Sequence, residues 1–140
     1  MARLLLVIAA SMFLLMGAQH AVLTLRDLGN PTAFTPPDPA LRQAMQQSSI
    51  RLHRSINLWR AWLGFNLTHS LGLVMFGGAF LYLGIFAPVV FESSPALQAI
   101  AVLVSAIYLV LCLRFFFSTP AIGSTIGLVC FLAAAGLAYA

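Results

Sequence analysis

Four stretches of the chain stay apolar for about the 20 residues that a helix rising 1.5 Å per residue needs to cross a hydrocarbon core. They are Leu4 to Leu25, Ala61 to Ala87, Ala96 to Phe117 and Ala121 to Ala140. The pattern predicts an all-α fold, a four-helix transmembrane bundle forming one integral membrane domain over residues 1–140. Ser118, Thr119 and Pro120 leave room only for a hairpin turn, so the third and fourth helices are expected side by side and antiparallel. PVVFESSP, bounded by Pro88 and Pro95, reads as a short loop between the second and third. The first run resembles a secretory signal peptide, with Arg3 ahead of an apolar stretch ending in small residues. Its apolar character continues past Ala21 to Leu25, however, and an uncleaved helix is the expectation.

The remaining segment, residues 26–60, changes character midway. RDLGNPTAFTPPDP holds four prolines and Gly29, which predicts an extended strap. Asp38 and Pro39 then suit the N-cap and first turn of a helix that meets no further Gly or Pro until Gly64. Leu41, Met45, Leu52, Ile56 and Trp59 recur on it at helical spacing, while Arg42, Gln46, Arg51, Arg54 and Arg60 take other faces, so this cytoplasmic helix is amphipathic. Two arrangements are open: the helix lies on the membrane surface and bends near Trp59, or it runs straight into the second span as one rod.

Composition agrees with lipid. The chain is 61% hydrophobic and 7% charged, against roughly 25% charged in ordinary globular domains. Its net charge of +4 comes from seven Arg and no Lys against Asp27, Asp38 and Glu92. The dense basic stripe that tracks nucleic acid is missing, and no nucleic-acid partner is expected. Arg26, Arg42, Arg51, Arg54, Arg60 and Arg114 fall on one side of the predicted bundle and Arg3 on the other. Basic loops are retained in the cytoplasm, so both termini are expected outside, with Trp59 and Trp62 at the cytoplasmic interface. Cys112 and Cys130 lie within apolar runs and read as small core residues.

Polar side chains inside the spans are the candidates for function. His20 and His69 each lie about 9 to 14 Å inside a cytoplasmic helix end by helical rise, on a level with Asn66 and Arg114. Trp62, Asn66, His69 and Leu73 share one stripe of the second span, and Gly64, Thr68 and Gly72 form a second that would admit a close helix neighbour. The two histidines are expected to look at each other across a helix pair. Three uses are open: polar glue between helices, the two axial ligands of a b-type haem, or a pocket for a lipid or quinone lined by His20, Trp62, Asn66, His69 and Arg114. Arg114 snorkels to headgroups, pairs with Asp27 or, if Asp27 is not available, suits an anionic ligand headgroup. No residue is nominated as catalytic or as a ligand of a metal outside haem: no two carboxylates share a span, and Ser70 points away from His69 by about 100°.

At WRAWLGFNLTHSLG, and again at RFFFSTP, the chain resembles a family of small, uncharacterised bacterial membrane proteins with four predicted spans. The resemblance implies a bacterial inner-membrane setting and carries no activity. The expectation is a non-enzymatic accessory subunit or lipid-binding module, working with other subunits or as a homo-oligomer. A haem-holding redox component and a small oligomeric transporter are the alternatives.

Overall fold

The computed structural model describes residues 1–139, so the final residue of the last predicted span lies outside the description. In chain order the elements are α1 (Ala2–Gly29), α2 (Pro39–Gln47), β1 (Ser49–Ile50), β2 (His53–Asn57), α3 (Leu58–Phe86), α4 (Pro88–Glu92), α5 (Pro95–Phe115) and α6 (Ser118–Leu137). The fold is all-α apart from one two-stranded antiparallel ladder. Helices α1, α3, α5 and α6 are long and apolar enough to cross a membrane. The described chain forms two compact units, residues 1–16 with 73–139, and residues 17–72.

In the first unit, buried positions step along each helix by three and four: Leu6, Ala9, Ala10 and Phe13 on α1; Leu73, Gly77, Phe80 and Gly84 on α3; Gln98, Ala101, Ser105 and Cys112 on α5; Ala121, Ser124, Gly127, Phe131 and Ala134 on α6. That is the seam spacing of a left-handed bundle. Its centre is aromatic. The Phe13 ring lies 5.1 Å from Phe76, 5.9 Å from Tyr108 and 6.1 Å from Phe131, and Phe80 adds edge contacts to Phe76 and Phe131. Large rings need small partners. A Cβ on Gly127 would stand 2.5 Å from the Phe13 ring, and one on Gly123 2.5 Å from Met16 Sδ. One on Gly77 would strike the backbone of Ala10 and Leu14, so α1 and α3 approach there almost backbone to backbone. Arg3 closes this end by donating from Nε to the Gly84 carbonyl at 3.1 Å and from Nη2 to that of Ile85 at 3.0 Å, two groups left open by the end of α3.

The stripe of α3 that the sequence offers for close packing is not the one used. Gly64, Thr68 and Gly72 are exposed, and nothing lies within 4 Å of a Cβ added at Gly64. The tight positions are Gly77 and Gly84 instead, because they fall on the three-four seam and the other set does not. The α5 and α6 helices do pack as an antiparallel hairpin, touching through Cys112 Sγ and Ser124 Oγ at 3.7 Å. The turn is earlier than predicted: Ser118, Thr119 and Pro120 form the first turn of α6, where a missing N–H costs nothing. Both cysteines are free thiols. The loop at PVVFESSP contains the short helix α4, whose Phe91 is buried in the aromatic core; Gln98 Nε2 satisfies the Phe91 and Glu92 carbonyls at 3.0 Å each.

The second unit corrects the long amphipathic helix. Asp38 caps α2 as predicted, its Oδ1 accepting from Ala40 N at 2.8 Å with Pro39 in the first turn. The helix nevertheless stops at Gln47. From Ser48 the backbone is extended, and β1 and β2 form a hairpin turning at Arg51 and Leu52. Ser48 and Ser49 compete for backbone hydrogen bonds, Ile50 and Ile56 favour strand, and Asn57 starts α3 afresh by accepting from Arg60 N at 2.8 Å. The helical spacing of Leu41, Met45, Leu52 and Ile56 is therefore a coincidence across two different elements. Neither expected course, a helix bending near Trp59 or a single rod, is the one taken.

Candidate functional site

The polar cluster lies within residues 17–72, where the later part of α1 meets the earlier part of α3. His20 Nε2 is 3.0 Å from Asn66 Oδ1. Asn66 in turn donates its amide from Nδ2 to the Trp62 carbonyl at 2.8 Å. This second bond fixes which end of the amide faces the histidine: the oxygen does, and an amide oxygen only accepts. His20 Nε2 therefore carries a hydrogen in either protonation state of the ring, assigned through the network. The His69 ring meets the His20 ring edge-on, with centroids 5.2 Å apart and planes at 67°. The expected juxtaposition of the histidines is met.

Below them the small polar groups fold back onto their own helices. Thr24 Oγ1 donates to the His20 carbonyl at 2.9 Å and Ser70 Oγ to the Asn66 carbonyl at 2.8 Å. The Ser70 hydroxyl proton is thus spent on its own helix. Every fully enclosed side-chain nitrogen or oxygen among the described residues has a hydrogen-bond partner.

A cover over His20 is the feature that sequence reading missed. The Phe34 ring of the strap stacks at 4.4 Å from the imidazole, tilted by 40°, and Trp62 Nε1 donates to the Phe34 carbonyl at 3.0 Å. Asp27 holds the strap in that position. Its Oδ1 accepts from the backbone N–H groups of Thr32 and Ala33, each at 2.8 Å, and from Thr32 Oγ1 at 3.2 Å. Its Oδ2 accepts from Phe34 N at 2.6 Å and Thr35 Oγ1 at 3.1 Å. An ionised carboxylate accepts only, and five donors converge on this one, which is 1% exposed.

The strap takes up both oxygens of the carboxylate that the sequence offers to Arg114. Arg114 belongs to the other unit and is exposed, its guanidinium carbon 6.0 Å from the ring of its neighbour Phe115. That is the geometry of a cation reaching out of its helix. A signal for the role of Asp27 was present. A carboxylate in the last turn of a helix opposes the macrodipole, so its placement there calls for another partner. Phe34 carries no comparable mark.

A cleft of about 250 Å³ lies between Pro31, Thr32 and Thr35 of the strap and Pro39 and Arg42 of α2. None of His20, Trp62, Asn66, His69 or Arg114 lines it. Two histidines serving one haem would face each other across the flat macrocycle, each aiming a nitrogen at the iron. Here the rings touch edge to face and His20 Nε2 is committed to Asn66, so the pair does not fit that ligand set. Compared with family models, curated proteins and solved structures, the chain matches none.

Proposed function

We propose that the protein is a non-enzymatic module of a bacterial inner membrane, with both termini outside, acting as an accessory subunit or lipid-contacting protein. The observation that carries this reading is the saturation of the polar cluster: His20, Asn66, Trp62 and Phe34 form one relay of contacts, and Asp27 fastens the strap that completes it. Side chains that answer one another in this way hold a cytoplasmic segment in a fixed arrangement, which is what a docking element requires. The histidines act as polar glue under a cover, with the lining role for a lipid or quinone moved away from them.

The test compares the purified native protein with Asn66→Leu. The native protein is expected to be colourless and to retain phospholipid in native mass spectrometry. The variant should keep its transmembrane helices by circular dichroism while amide exchange at residues 32–35 rises. A Soret band in the native protein, or unchanged exchange in the variant, would overturn the reading.

A further inference from the structure

The hairpin of β1 and β2 has no part in the polar cluster, and its tip has an unusual composition. Arg51, Leu52, His53 and Arg54 are all exposed, with Leu52 at 93%. No Asp or Glu occurs between Asp38 and Glu92, and the Asp38 side chain is engaged as the cap of α2. His53 Nδ1 is within 2.8 Å of Ser55 Oγ on the same strand face, and no carboxylate touches either arginine among the described residues. The tip therefore holds two guanidinium groups without a counter-charge, around one fully projecting leucine.

Position supplies the second half of the argument. The hairpin base is tied directly to the start of α3, with no linker: Leu58 N donates to the Ser48 carbonyl at 2.8 Å, and Asn57 caps the helix. Trp59, buried, and Trp62, exposed, follow within the next turn and a half, and tryptophan is the residue type that collects at headgroup boundaries. The hairpin is thus held at the edge of a span rather than on a flexible tether. A specific protein contact needs on the order of 1,000 Å² with an apolar centre. A lone leucine between cations offers far less, but it matches partial insertion at the boundary between headgroups and acyl chains.

The geometry points to the hairpin tip as a docking element for anionic phospholipid, in which Arg51 and Arg54 bind headgroup phosphates and Leu52 enters the boundary between them. This rests on the membrane setting proposed above and not on the role of the histidine cluster. Each arginine near an anionic surface contributes roughly fivefold in affinity, and the contribution shrinks as salt is raised.

The experiment is native mass spectrometry of the full chain offered an equal mixture of phosphatidylglycerol and phosphatidylcholine. The native protein should retain phosphatidylglycerol preferentially. R51Q/R54Q should lose that preference by roughly fivefold or more, R51K/R54K should keep it because the charge is retained, and L52S should weaken it less. An unchanged preference in R51Q/R54Q overturns the proposal, and would leave an acidic protein segment as the occupant. So does its loss in R51K/R54K, which would show that charge is not what the lipid reads. The Asn66→Leu variant should keep the preference, so failure of the cluster reading and failure of this one are separable.

Discussion

Residues 1–16 with 73–139 are held by shape, and residues 17–72 by hydrogen bonds. In the first unit, aromatic rings fill a seam whose opposing positions are glycine or alanine, and the polar side chains among them bond mainly to backbone carbonyls. In the second, the strap is set by the Asp27 carboxylate, by the Trp62 indole N–H on the Phe34 carbonyl and by the Phe34 ring against His20. The contrast follows from solvent. Lipid gives helices no hydrophobic reason to associate, so close fit must supply the attraction. A proline-rich strap has no apolar face to bury and must be fixed by polar groups.

The largest effect that would break this contrast is expected at Gly77. Gly77→Leu places a side chain against helix backbone at Ala10 and Leu14, which cannot yield by a rotamer change. Overpacking costs typically 1–3 kcal/mol and more where backbone must move, at about the top of that range here. Thermal unfolding in detergent should show the bundle lost or the midpoint far lower. Gly123→Ala is the matched control: it meets only the flexible Met16, and should cost under about 1 kcal/mol.

A middle effect belongs to Asp27→Asn. The substitution preserves shape but turns one acceptor into a donor aimed at N–H or O–H groups of the strap. Leaving such groups unmatched costs about 1–3 kcal/mol each when enclosed. The expected outcome is faster amide exchange and protease cleavage near residues 32–35, with the midpoint of global unfolding little changed. A drop in global stability equal to that of Gly77→Leu would show that the two regions are not held separately.

The smallest effect is expected for Arg114→Gln. The side chain is exposed, so unfolding should shift by less than about 0.5 kcal/mol. A larger loss would mean that the guanidinium has a role in folding that its surroundings do not explain.

Most of the helical frame was legible from the chain. Span length is dictated by the bilayer and the rise of a helix, and the meeting of His20 with His69 and Asn66 follows from residue counts along two rods. The unread parts depend on contacts between residues far apart in the chain or on competition between local preferences. Phe34 covers His20 because Asp27 bends the strap and Trp62 holds the Phe34 carbonyl. The break at Ser48 had signals in the paired serines and in Asn57, but a run of regularly spaced apolar residues spoke louder. The stripe of Gly64, Thr68 and Gly72 misled because smallness without seam spacing does not bring a helix closer.

The prolines of the strap take on meaning from the residues that Asp27 grips. Pro31, Pro36 and Pro37 surround Thr32, Ala33 and Phe34, whose three amide hydrogens the carboxylate consumes. A segment that looks indifferent to further ring closure is thus intolerant at three consecutive places, since imino acids there would each subtract one leg from the tripod. Insertions follow the same logic: an added residue after Pro37 leaves the grip untouched, whereas one between Gly29 and Thr32 moves all three legs out of register at once.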